Sequence, residues 1–232
     1  MSVSNASRLN KLDALRGLTL ISMILYHAMW DVVYIYRINI PWYGELPGSI
    51  WQQSICWTFI LLSGLSLSLG HHPVKRGLMV SLCGLVITIV TLIFLPEDVV
   101  IFGILTFMGA AMILCSFVDR LNIDKRILLF VSLLLFFLTR GVCNTAYSFG
   151  NYLTAFIGFP FAGFFSTDYF PLIPWFFLYL AGYSLSFLLT DKVKGVLSGE
   201  LCPHLEFIGR HTLIIYMLHQ PVIMLVLSVF LK

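Results

Sequence analysis

The sequence predicts an all-α fold: a polytopic transmembrane helical bundle of about seven spans, with the N-terminus inside and the C-terminus outside. Three observations carry this prediction. Hydrophobic residues make up 59% of the 232 and charged residues only 11%, where a soluble domain is typically about a quarter charged. Mean hydropathy is +0.93. The apolar residues also fall in long continuous runs rather than alternating segments of about 10 residues, which excludes a transmembrane β-barrel. The composition excludes a soluble enzyme, a disordered chain and a disulfide scaffold. A net charge of +3 is too small to argue for nucleic acid, so the lipid bilayer is the first expected partner.

A spanning helix needs roughly 20 apolar residues. The candidate runs are Leu15–Tyr36, Ile50–Leu69, Gly77–Leu95, Val99–Val118, Ile127–Val142, Pro171–Thr190 and Phe207–Leu231. The first has a basic flank, Arg8, Lys11 and Arg16, but no small-residue cleavage site, so it reads as a retained span. Only Glu97 and Asp98 separate Pro96 from Val99, which suggests a tight hairpin between the third and fourth runs. With the N-terminus inside, only Arg37, Arg140 and Lys232 of the 14 lysines and arginines lie outside, and this asymmetry sets the orientation.

All the runs are assigned to a single domain, 1–232. Within it, 143–170 is rich in Phe and Tyr and is interrupted by Gly150, Gly158, Pro160 and Gly163. It reads as an outer re-entrant or interfacial segment, because irregular backbone at membrane depth must be covered by protein or line a cavity. Its rings form either a headgroup belt or the wall of a substrate cavity. No internal repeat is visible, so an inverted-repeat transporter gains no support. The five cysteines are odd in number and irregular in spacing, and read as apolar fillers rather than a disulfide or zinc framework. No metal is expected.

The first run carries the chemistry. Over the stretch Leu12–Val32, which opens just before it, the ionisable residues are Asp13, Arg16, His27 and Asp31. At 100° per residue, with Arg16 at zero, Asp13 and Asp31 lie near about +60° and His27 near about +20°. One narrow polar sector in an apolar helix should face the bundle interior or a cavity, since lipid penalises each charge. His27 lies roughly 16 Å beyond Arg16 along the helix, and Asp31 is its i+4 neighbour. A carboxylate beside an imidazole fixes the tautomer and raises basicity, as a general base requires. The pair is therefore either catalytic or a buried structural lock, and as a proton relay it also fits a small non-catalytic transporter or channel.

The pattern R-x-x-x-L-D-A-L-R-G-(x)9-Y-H, from Arg8 to His27, resembles the opening of transmembrane acyltransferases: the heparan-α-glucosaminide N-acetyltransferase-like family in its short bacterial form, and the related acyltransferase-3 family. Five more stretches resemble the first group, in order along the chain: FILLSGLSLSLG (Phe59–Gly70), KRG (Lys75–Gly77), FGILTFMGAAM (Phe102–Met112), FPLIPWF (Phe170–Phe176) and GRHTLIIYMLHQP (Gly209–Pro221).

The resemblance implies an acyl-CoA-dependent enzyme, most readily an acetyltransferase using acetyl-CoA, in a multi-pass bacterial inner-membrane protein. The donor binds at the cytoplasmic face and the acyl group passes to a sugar or envelope glycan presented from the outer side, directly or through acyl-His27. His27 matches the first-span histidine of acyltransferase-3 proteins. The lysosomal enzyme instead places its catalytic histidine in the loop after the first span, and here Arg37–Ser49 contains none. Family members often carry histidine where this chain has Thr106. The chain is also shorter than the characterised enzymes, which is compatible with a partner or a homo-oligomer.

In this scheme Arg16, Lys75, Arg76, Arg210 and His211, at the inner ends of the spans, meet the pyrophosphate and 3′-phosphate of coenzyme A. The other reading of these cations is ordinary positive-inside charge. His71 and His72 flank Pro73 in an inner loop and read as a solvated turn. His219 precedes Pro221, which removes a backbone hydrogen bond and should kink the last span. His219 therefore either meets freed carbonyls or faces the cavity near His27. Arg140 and Asn144 stand at i and i+4 at the outer end of the fifth run as substrate-binding candidates, and Arg140 either pairs with Asp31, orients an acceptor, or snorkels to the interface.

Overall fold

The computed structural model describes residues 9–231. Arg8 and Lys232, which entered the charge argument, lie outside the described residues. All regular structure among the described residues is helical. Five helices are long and apolar enough to cross a membrane: Asn10–Ile35, Leu46–Leu67, Pro73–Phe94, Lys125–Asn144 and Thr212–Phe230. A sixth crossing is possible if Leu172–Leu188 and Asp191–Ser198, bent by 104°, count as one broken span, and the apolar helix Ile104–Asp119 is shorter. Each expected run coincides with one of these helices, while several boundaries move for local reasons given below. All five cysteines are free thiols.

The chain forms two compact units, one from residues 1–59 and 189–232 and the other from 60–188. The first contains α1 (Asn10–Trp30), which passes into a π-helical turn over Asp31–Ile35. It then contains the short α2 (Pro41–Gly44) and the opening of α3 (Leu46–Leu67). From the C-terminal part come α9 (Asp191–Ser198), α10 (Pro203–Arg210) and α11 (Thr212–Phe230).

Alpha1 and α10 cross with their backbones nearly touching. A Cβ on Gly17 would sit 2.1 Å from the Leu205 carbonyl oxygen, and one on Gly209 would sit 1.8 Å from that of Asp13. Such approach between helices is open only to residues without a side chain. Further along α1, Leu20 and Met23 pack with Ile55 of α3 beneath Tyr26, Trp51 and Tyr216. The Trp51 indole donates to Ser22 Oγ at 2.8 Å, and the Tyr43 hydroxyl donates to the Tyr26 carbonyl at 2.9 Å. Burial, with the Tyr26 contact second, pushes the Tyr43 phenol well above its ordinary range, so it stays a donor.

The expected last span Phe207–Leu231 is divided. Alpha10 is a separate helix, and His211, at φ −104° and ψ 20°, breaks the chain before α11 begins at Thr212. Alpha11 continues through Pro221 as one helix.

The second unit holds the remainder of α3 with α4 (Pro73–Phe94), α5 (Ile104–Asp119), α6 (Lys125–Thr139), α7 (Tyr152–Ile157) and α8 (Leu172–Leu188). Alpha3 meets α8 through Gly64 and Gly182, which face the Tyr179 and Leu61 carbonyls. Asp124 caps α6 by accepting from the amides of Arg126 and Ile127. At the same end, Asp119 accepts from the Tyr183 hydroxyl and from Lys125 Nζ.

The hairpin between α4 and α5 is longer than the sequence suggested. A 3₁₀ turn spans Pro96–Asp98, and α5 does not start until Ile104. The segment preceding α8 takes up the intervening amides: Ser166 Oγ accepts from Ile101, and Asp168 Oδ2 accepts from Ile104 at 3.0 Å. Within 143–170 the only α-helix is six-residue α7, opened by a reciprocal Asn151–Thr154 capping box. Phe161, Phe164, Phe165 and Tyr169, with Asn144 and Ser166, line a cavity of about 280 Å³ there.

Burial pushes the Asp168 carboxyl up to about 6, against the lowering effect of the Ile104 amide. The folded state therefore prefers it protonated. Stability present in acid is lost as pH rises from about 4 through about 6, because the unfolded chain then holds fewer protons than the native one. Asp168→Asn keeps an oxygen for the Ile104 amide and removes the titration. Thermal unfolding at pH 5 and pH 8 should show the wild type losing roughly 2–4 °C per kcal/mol of this linkage, and the variant losing less.

Candidate functional site

The polar sector of α1 divides into two clusters. At the N-terminal end, Arg16 Nη1 lies 2.7 Å from Asp13 Oδ1. Arg210 approaches the other Asp13 oxygen at 3.7 Å, pairs with Glu206 at 3.1 Å and donates to Asn10 at 3.3 Å. Glu206 is buried and also accepts from the Leu201 amide. The Gly17–Gly209 crossing brings these side chains together: with two backbones in contact, residues one turn away on each helix face one another. Sequence reasoning found Arg16, Arg210 and Asp13 but did not assign Glu206 or Asn10. His211 is exposed, and its Nδ1 meets the Phe207 carbonyl.

The second cluster lies at the far end of α1. Asp31 is completely buried and opens the π-helical turn, a distortion often found at functional sites. The Gln220 side-chain amide on α11 donates to both its oxygens, at 2.8 and 3.0 Å. One residue earlier on α11, the His219 ring lies 4.9 Å from the His27 ring, at 63° to it. The His219 Nδ1 meets the Tyr216 carbonyl. A carbonyl only accepts, so Nδ1 carries the proton and Nε2 keeps its lone pair. That Nε2 and the Gln220 Oε1 are buried without a hydrogen-bond partner among the described residues.

The geometry thus differs from the expected contact within α1. Gln220 donates two hydrogen bonds to Asp31, and none between Asp31 and His27 is seen among the described residues. His27 faces His219 instead. Sequence reasoning missed Gln220, although an amide inside a span carries much the same signal as a charge, since it too must find a partner in lipid.

The remaining expected site residues belong to the second unit. Lys75 is exposed on the first turn of α4, and the Arg76 guanidinium lies over Gly70. Arg140 caps α6, with its guanidinium 5.9 Å from the Phe136 ring centre. Asn144 lines the aromatic cavity. Among the described residues, no group of three or more His, Cys, Asp or Glu side chains is placed to hold a metal.

No curated protein and no solved structure matches the chain. The sequence profile of the heparan-alpha-glucosaminide N-acetyltransferase catalytic family matches residues 8–221, a stretch that includes both clusters on α1 and ends just past Gln220. Together with the membrane-length helices, that match makes this a multi-pass membrane protein of acetyltransferase type, and the chain belongs to the heparan-alpha-glucosaminide N-acetyltransferase catalytic family.

Proposed function

We propose that the protein moves an acetyl group from acetyl-CoA, bound at the cytoplasmic face of a bacterial inner membrane, to the amine or hydroxyl of a sugar or envelope glycan presented from the outer side. The observation that carries this reading is His27: an imidazole on a membrane-length helix, beside a second imidazole, with no hydrogen bond of its own among the described residues. Its ring nitrogens are free for proton transfer. In the step itself, a bond forms from the acceptor nitrogen or oxygen to the thioester carbonyl carbon, and the carbon–sulfur bond breaks. His27 takes the acceptor proton and returns it to the departing thiolate.

Asp31, through Gln220, ties the last helix to the first and so keeps His27 beside His219. His219 contributes to the acceptor side. Arg16, Arg210 and His211 recognise the donor phosphates. Asp13 and Glu206 orient Arg16 and Arg210 without exhausting them, since a guanidinium has five N–H donors. The substrate for which the family is named, a glucosaminide acetylated on nitrogen, favours an amine acceptor.

Donor binding tests the proposal. Purified full-length protein titrated with acetyl-CoA should show a rising thermal midpoint, reaching about 2.7 kcal/mol of stabilisation at 100-fold excess over Kd, and Arg210→Ala should weaken the response. A flat titration would overturn the reading and is what a transporter or channel built on the same histidines would give.

A further inference from the structure

We propose that His219 is a second catalytic base, accepting through Nε2 the first of two protons that a protonated amine acceptor must lose, while His27 handles the second. The inference rests on the acetyltransfer reading and adds a residue and an order of events to it.

Three observations converge on it. The Tyr216 carbonyl locks the His219 tautomer with the proton on Nδ1, so Nε2 can only accept. That Nε2 is buried with no partner among the described residues, as is the Gln220 Oε1 on the adjacent residue. Buried acceptors without donors are rare enough in native proteins that each needs an explanation. The His219 Nε2, beside the His27 ring, calls for a ligand group carrying an N–H or O–H donor, and an ammonium group is such a donor. Finally, the His27 ring lies 4.9 Å from the His219 ring, so both imidazoles can serve one bound group.

The proton balance of amide formation needs two acceptors. An amine flanked by electron-withdrawing groups titrates near about 8 and arrives mostly as R–NH3+. One proton passes to His219 Nε2 and exposes the nitrogen lone pair. The neutral amine then attacks the thioester carbonyl carbon, the C–N bond forms and the C–S bond breaks. The second proton moves to His27 and on to the thiolate sulfur, giving the free thiol. The proton on His219 returns to solvent. Ammonium plus thioester thus gives amide, thiol and one proton, whereas a hydroxyl acceptor would lose one proton only.

The groups facing His219 are few. From α1 come His27 and, through Gln220, Asp31; on its own helix there is Tyr216. Alpha10 contributes Arg210, which engages Asp13, and Glu206, which engages Arg210.

The experiment follows N-acetylglucosamine formation from acetyl-CoA and glucosamine by the full-length protein between pH 6 and pH 9. Wild-type kcat/KM should stay level from pH 9 to about 7, because the enzyme takes the ammonium form. His219→Gln should be roughly 30-fold slower at pH 6.5, the shortfall of neutral amine one and a half units below its titration, and should recover toward wild type by pH 9, where the amine is already neutral. His27→Gln should show no such recovery. A His219→Gln loss that is the same at every pH would mean a purely structural role and would overturn the inference. If the variant does not fold, the wild-type profile decides: a tenfold fall per pH unit below the amine titration overturns it, and a level profile supports it. Absence of product from the wild type at every pH would overturn the acetyltransfer reading, and this inference with it.

Discussion

Replacing His27 with alanine should lower kcat for acetyl transfer by roughly 100- to 10,000-fold, the range over which a positioned proton-transfer group contributes. The loss should appear in kcat rather than in donor affinity, because His27 lies well along α1 from the Asp13–Arg16–Arg210 cluster assigned to the phosphates. The variant should still fold. His27 makes no hydrogen bond among the described residues, and what it loses is edge contact with the rings of His219 and Tyr26. Thiol release and product formation, measured beside a thermal unfolding curve, separate the two effects. Turnover that persists unchanged in a folded His27→Ala protein would remove His27 from the mechanism.

The second large effect concerns folding. Gly209→Ala adds one carbon, and that carbon would lie 1.8 Å from the Asp13 carbonyl oxygen. The contact is with backbone, so no side-chain rotation relieves it, and α1 and α10 must move apart. Overpacking typically costs about 1–3 kcal/mol and sometimes more; a clash between two main chains belongs at the upper end. Because Arg210 follows Gly209 directly, the same shift draws it from Asp13, so the acetyl-CoA response should weaken as the thermal midpoint falls. Gly195→Ala is the control: its added carbon would have no neighbour within 4 Å, and it should unfold like wild type. Equal stability for the two variants would show that the close crossing is not formed.

The sequence made the helical membrane fold legible because charges are sparse and apolar runs long, and the first-span pattern pointed to the family. The polar sector of α1 was legible for the same reason: in an apolar helix, any ionisable side chain stands out, and its angle follows from its number. What could not be read was which helix lies opposite. Spacing on α1 favoured His27 with Asp31, the nearest neighbours on one cylinder, but the facing residues of α11 claim each separately: His219 stands beside one ring and Gln220 clamps the carboxylate. Gln220 is uncharged and sits between His219 and Pro221, both more conspicuous. Helix ends were blurred wherever hydropathy runs on through a change of backbone. Val99–Gly103 is apolar yet non-helical: Ser166, far along the chain, accepts the Ile101 amide, and Asp168 accepts that of Ile104 where α5 opens; likewise His211 breaks a run that composition alone treats as continuous.

The Asp31–Gln220 clamp joins positions 189 residues apart, and this has a consequence for biogenesis. The unit from 60 to 188 is complete in sequence while α11 has yet to leave the ribosome, so it can assemble first, as chains made from the N-terminus generally do. The first helix, though inserted earliest, must wait for the last before the two imidazoles meet. A truncation before His219 would therefore yield a membrane-embedded chain with one unit formed and the pairing of His27 with His219 never assembled.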